Sequence, residues 1–143
     1  MKIVDLNILL YAVNPSSEHH DVVLRWWENL INSEEPVGIA WIAVTGFLRL
    51  ATNPRIFPRP LTVTTALEKL ETWLRHPNTR LVQETEEHWT ILRLLLEESG
   101  TAGNLPTDAH LAALAISHGA VLASCDSDFG RFEKLRWENP LRA

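Results

Sequence analysis

Four aspartates carry the chemistry that this sequence suggests. Asp5 ends the apolar run Ile3-Val4, Asp126 follows the apolar run Val121-Leu122-Ala123, and Asp128 stands two residues further on. Asp108 opens an alanine-rich stretch from Ala109 to Ala115. Both apolar runs read as short buried strands, and open α/β sheets bind ligands beyond the carboxyl ends of their strands. Carboxylates gathered there repel one another and lose hydration unless a cation joins them. Hard oxygen donors suit Mg²⁺ or Mn²⁺, ions that activate water and neutralise charge on a phosphoryl group. Each acid also has a plainer role open to it. Asp108 favours the positive end of a helix by about 0.3–1 kcal/mol, and Asp126 and Asp128 are good turn formers. Asp5, with apolar residues on both sides, is the costliest to place without a partner.

Other chemistries find less support. The single cysteine, Cys125, excludes an internal disulfide and suits a reducing compartment; it reads as a small buried filler rather than a nucleophile. No Ser–His–Asp pattern or zinc spacing competes, and His19, His20, His76, His88, His110 and His118 form no ligand pair at useful spacing. A phospho-acceptor receiver domain would also gather Mg²⁺-binding acids, but it needs an acceptor Asp ending a central strand. Between Asp21 and Asp108 there is no Asp at all.

The elements that must position these groups fit one domain over residues 1–143, with 45% hydrophobic and 22% charged residues. Lys2 to Asp5 reads as a strand, and a helix then runs from Asn7 until Asn14-Pro15 stops it. His20 to Ile31 is amphipathic at helical spacing, and the apolar run Ile39 to Ala51 reads as a helix of three turns. Three prolines keep Pro54 to Pro60 out of any helix. Helical spacing resumes from Thr62 to Leu74, with Thr65 and Glu68 placed like a capping box. A strand over Arg80 to Gln83 precedes a helix from Thr85, its cap, to Glu98. A loop from Gly100 to Pro106 leads to Thr107, which caps a helix from Asp108 to His118 closed by Gly119. Ala120 to Ala123 and Leu135 to Trp137 complete the strands. The alternation predicts an α/β three-layer sandwich around a mainly parallel sheet of four to five short strands.

The motifs resemble those of PIN-domain proteins. Val4-Asp5-Leu6-Asn7-Ile8-Leu9-Leu10-Tyr11 is similar to their opening Asp-x-Asn and aliphatic helix. Thr107-Asp108-Ala109-His110-Leu111-Ala112-Ala113-Leu114-Ala115 resembles their second acidic motif, and Ser124-Cys125-Asp126-Ser127-Asp128-Phe129 resembles their Thr-x-Asp-x-Asp-Phe segment. Within that family, Phe47 to Arg55 is similar to the middle of the VapC toxins. The resemblance implies a PIN-like fold and a ribonuclease toxin that hydrolyses RNA with a metal-activated water, leaving a 5′-phosphate and a 3′-hydroxyl. It also implies Mg²⁺ or Mn²⁺ as cofactor, a homodimer and a cognate antitoxin. Asp5 and Asp108 carry over as the main metal ligands and Asp126 as a further ligand or water-positioning acid. Asn7, Ser124 and Asp128 support them. One position departs from the pattern: the family usually has a Glu on the segment that here holds Gly46, and no acid occurs between Pro36 and Phe57. The alternative is therefore a PIN-like fold that is catalytically weak or inactive and serves as an RNA- or protein-binding module.

A formal net charge of -5 is unlike a generic nucleic-acid binder. RNA binding then has to rest on local clusters, Arg49, Arg55 and Arg59 around the prolines and Arg131, Lys134 and Arg136 after the last acidic motif. Trp26, Trp27, Trp73 and Trp89 lie on helix faces and read as core or dimer contacts. No run approaches the ~20 apolar residues of a membrane span, and Met1 to Asn14 lacks the features of a signal peptide. The expected location is the cytoplasm.

Overall fold

The computed structural model describes residues 1–100 and 105–142. Five strands form one sheet: β1 (Lys2–Val4), β2 (Val37–Ala40), β3 (Thr79–Val82), β4 (Val121–Ala123) and β5 (Trp137–Glu138). Their order is β3-β2-β1-β4-β5, and every pairing is parallel. Among the described residues there are six α-helices: α1 (Leu6–Val13), α2 (His20–Ile31), α3 (Trp41–Ala51), α4 (Val63–Leu74), α5 (His88–Ser99) and α6 (Leu105–Ser117).

The two-residue alternation of the strands splits the core into two. Val4, Val37, Ile39 and Ala123 point to one face, where α1 to α4 cover them. Ile3, Ala40, Val82 and Leu122 point to the other, under α5 and α6. Both faces are buried, which is why β1, β2 and β4 are apolar almost throughout rather than alternating. Phe47 of α3 lies fully buried in the first cluster, edge-on to Trp73 with ring centroids 5.4 Å apart; Trp27 meets the same Trp73 at 5.6 Å. Trp89, at 67% exposure, stands outside both cores, which rules out the core half of its expected role.

The register of the central pair positions the acids. Ile3 pairs with Leu122 and Val4 with Ala123, so β1 and β4 finish at the same level. The Asp5 N–H then donates to the Ala123 carbonyl at 2.9 Å. The chain leaves β1 for one side of the sheet and returns to its other side at β4, so the gap beyond these two strand ends is the topological switch point.

Several boundaries differ from those read in the sequence. The run Ile39 to Ala51 is not one helix, because Val37–Ala40 forms the buried strand β2 and α3 starts at Trp41. A continuous apolar run has no period with which to separate a buried strand from a buried helix. Gly38 marks that strand: a Cβ there would stand 2.9 Å from Ile3 Cγ1 and 3.0 Å from Val82 Cγ1. Thr62, not Thr65, caps α4 by accepting the Thr65 N–H at 3.1 Å. The helix expected from Thr85 begins at His88, with the Thr85 carbonyl rather than its hydroxyl accepting the His88 N–H. α6 begins by Leu105, which places Thr107 and Asp108 within its opening turn instead of at its cap. Residues 101–104 of the expected Gly100 to Pro106 loop lie outside the described residues. The last strand is Trp137–Glu138 rather than Leu135 to Trp137. Gly119 closes α6 at φ +61, as its position suggested.

Phe47 tests the first core most directly. Phe47→Ala is expected to lower the free energy of unfolding by about 3–5 kcal/mol in urea titrations, since the site is closed on all sides.

Candidate functional site

Asp5 ends β1 and opens α1. One carboxylate oxygen, Oδ1, accepts the Leu6 N–H at 2.7 Å. The other, Oδ2, accepts the Ser124 hydroxyl at 2.7 Å and the Asn7 amide at 3.2 Å. Ser124 is fully buried, and its oxygen also accepts from Asn7 Nδ2 and from the Asp126 N–H, each at 3.1 Å. Asn7 completes the link by accepting the Cys125 N–H at 3.2 Å. The three side chains thus bind the end of β1 to the end of β4 and set the path of the chain into Asp126. That residue's Oδ1 in turn accepts the Asp128 N–H at 2.9 Å and starts the 3₁₀ turn Ser127–Arg131.

Asp108, Asp126 and Asp128 each bring a carboxylate oxygen within 4.8 Å of the others'. Asp5 stands beside this trio rather than in it. It faces, with Asp108, a cleft of about 420 Å³ walled by Leu6, Asn7, Leu10, Arg49, Leu50, Thr107 and Leu111. The four acids share one electrostatic field. Burial raises the pKa of Asp5 above the usual carboxylate value; the Ser124 and Leu6 hydrogen bonds oppose that, and the charge of Asp126 adds to it. Asp108 is pushed up to about 6, by burial first and then by Asp126, Asp5 and Asp128, with Arg131 pulling the other way. Sequence reasoning singled out all four acids, Asp128 as a supporting residue; it lies within 4.8 Å of Asp108 and Asp126 but is the exposed member of the three.

Gly46 packs against the side chain of Leu6. It is buried on α3, and a Cβ there would come within 2.7 Å of Leu6 Cδ2, beside Asp5. A side chain at 46 would displace the end of Leu6, and α3 meets the cleft through Arg49 and Leu50. Arg131 lies against Asp128, its Nε donating to the Asp128 carbonyl at 3.1 Å and its Nη2 lying 3.7 Å from the carboxylate. Arg55 and Arg59 are exposed and line no part of this cleft. The Cys125 thiol is pushed up to about 11 by burial and by Asp5, which fits a filler and not a nucleophile.

Two histidines come together by packing rather than as a ligand pair. His88 Nε2 and His110 Nδ1 are 3.0 Å apart across α5 and α6, with Glu84 3.6 Å from His110 Nε2. They are 22 positions apart, and only the pairing of their helices joins them, so no local spacing announced the contact.

Known proteins resemble this chain over nearly its whole length. The family model described as PIN domain matches residues 2–135. Ribonuclease VapC37 of Mycobacterium tuberculosis is 50% identical over 140 residues, covering 98% of this chain and 97% of the relative. Ribonuclease VapC33 of the same species is 39% identical over 142 residues, covering 99% of each. Among solved structures, VapBC2 from Rickettsia felis bound to a promoter DNA fragment superimposes with a TM-score of 0.70 at 22% identity, over 96% of this chain and 97% of that one. FitAcB from Neisseria gonorrhoeae does so with a TM-score of 0.70 at 20% identity, over the whole of both chains.

The raised pKa of Asp108 has a signed consequence for the metal-free protein. Its folded value, about 6, lies above the unfolded value of 3.8, so the associated stability is full below 3.8 and is lost as pH rises through 6. Asp108→Asn is therefore expected to raise the melting temperature in EDTA at about pH 8 and to leave it nearly unchanged at about pH 4. Equal shifts at both pH values would contradict the assignment.

Proposed function

Because this chain belongs to the PIN-domain family, we propose that it is a metal-dependent endoribonuclease, the toxin of a toxin–antitoxin pair. The observation that carries this reading is the set of aspartates converging at the switch point, Asp108, Asp126 and Asp128 within 4.8 Å and Asp5 beside them. Such a donor set fits a hard divalent cation. Burial first and then its neighbours' charge push the Asp108 pKa up to about 6, a penalty on its charged form that a cation between the carboxylates would offset. Asp5, Asp108 and Asp126, with Asp128, would hold Mg²⁺ or Mn²⁺. When bound, the ion supplies the positive charge that activates a water near neutral pH and offsets charge on the phosphoryl oxygens.

The chain's own residues do the rest. Ser124 and Asn7 fix the Asp5 carboxylate by occupying Oδ2, and Ser124 also fixes the backbone at Asp126. Leu6, Leu10 and Leu111 give the cleft apolar walls beside Asp5 and Asp108, which strengthens every charge interaction inside it. Arg131 steadies Asp128 and, with the exposed Arg55 and Arg59, provides contacts for RNA phosphates around a chain that is acidic as a whole.

A single domain over 1–143, acting in the cytoplasm as a homodimer and silenced by a cognate antitoxin, completes the reading. The relatives at 50% and 39% identity are named ribonucleases, and the structures of similar fold are of VapBC and FitAcB, the first bound to promoter DNA. Among the described residues no helix is long and apolar enough to cross a membrane. The alternative of an inactive binding module is not favoured, because these relatives match the chain from end to end and the buried supports of Asp5 are intact.

The deciding experiment is cleavage of a mixed RNA pool by purified protein in Mg²⁺ or Mn²⁺. Wild type is expected to cut and to stop in EDTA, and Asp5→Asn is expected to be inactive while remaining folded. Cutting that survives EDTA, or that Asp5→Asn retains, would remove the acidic site as its source. Ser124→Ala, which removes the shorter of the two hydrogen bonds to Asp5 Oδ2, is expected to weaken Mn²⁺ binding by calorimetry about 10–100-fold.

A further inference from the structure

We propose that Arg49 is a catalytic residue of this nuclease, gripping the non-bridging oxygens of the phosphate to be cleaved; this rests on the nuclease reading above. Arg49 sits near the C-terminal end of α3 and lines the same cleft as Asp5 and Asp108. It is the one basic side chain in that lining among the described residues. The other arginines near the acids or the proline-rich segment are otherwise placed: Arg131 is turned to Asp128, and Arg55 and Arg59 lie outside the cleft wall.

Two observations argue against a structural role for Arg49. The side chain is exposed, and among the described residues no carboxylate lies within 4.0 Å of its nitrogens, although Asp5 and Asp108 line the same cleft. Its guanidinium is thus left with donors to offer a ligand.

The electrostatics of the cleft then ask for what Arg49 can give. A phosphodiester entering between Asp5 and Asp108 is itself an anion, and it gains charge as a nucleophile adds to phosphorus. The wall formed by α3 brings no carboxylate, since the chain has no Asp or Glu from Pro36 to Phe57, and so it holds no cation of its own on that side. Arg49 supplies fixed positive charge there. Its planar fork matches two non-bridging oxygens, and the contact tightens as charge accumulates on them. An interaction that strengthens in the transition state acts on kcat more than on KM.

The test compares wild type, Arg49→Gln and Arg49→Lys on one defined RNA substrate in Mn²⁺, with Mn²⁺ affinity measured separately by calorimetry on RNA-free protein. Arg49→Gln is expected to lose about tenfold or more in kcat with KM changed less than about threefold. Its Mn²⁺ affinity should equal that of wild type or exceed it, because a nearby cation has been removed. Arg49→Lys should recover part of kcat, which a purely steric role would not give. Unchanged kcat in Arg49→Gln, a loss confined to KM, or weakened Mn²⁺ binding would each overturn the assignment. A wild type that does not cut would overturn the nuclease reading and this proposal with it, whereas an active wild type beside an equally active Arg49→Gln would overturn this proposal alone.

Discussion

Everything at this site depends on holding like charges together. Asp108, Asp126 and Asp128 crowd within 4.8 Å, and Asp5 stands close enough to raise the pKa of Asp108 further. The protein opposes that repulsion with Arg131 and with a buried hydroxyl, Ser124, that gives its hydrogen to Asp5 and its lone pairs to Asn7 and to the Asp126 N–H. Ser124 is fully buried and engaged on three sides, and the repulsion shows in the raised pKa of Asp108. The metal-free site is therefore poised to take up protons or a cation, and the fold is what keeps that choice open.

The fold achieves this through a register, not through a loop. β1 and β4 end level because Val4 pairs with Ala123, and Asp5 and Ser124 are the next residues on each strand. A slip of β1 by one residue would turn its side chains to the other face and separate Asp5 from Ser124. The two apolar clusters on opposite faces of the sheet resist such a slip, since it would expose Val4 or Ile3 to the wrong core. Core packing and site geometry are here the same constraint.

How far the sequence alone reached follows from which signals are local. Asp5, Asp108, Asp126 and Asp128 were legible because each stands where an apolar run meets a polar break, and α2 was legible over its full length because its apolar positions keep helical spacing. β2 was not, because Val37-Gly38-Ile39-Ala40 runs into Trp41 without a polar residue to mark the change from strand to helix. The starts of α5 and α6 were missed because Thr85 and Thr107 look like caps, while tertiary packing sets where each helix begins. The His88–His110 contact and the crowding of Gly46 by Leu6 are long-range events that spacing along the chain does not encode.

The all-parallel order β3-β2-β1-β4-β5 has one more consequence, for the life of the chain during its synthesis. No two neighbouring strands can be joined by a hairpin, so each pairing waits for a crossover to be made, and the central pair joins residues about as far apart as the chain allows. The hydroxyl that steadies Asp5 comes from a residue 119 positions later. A nascent chain carries Asp5 from the outset but cannot assemble the acidic site until the segment through Asp128 has left the ribosome. The acidic site is thus a late product of synthesis, because its supports come from residues far apart along the chain.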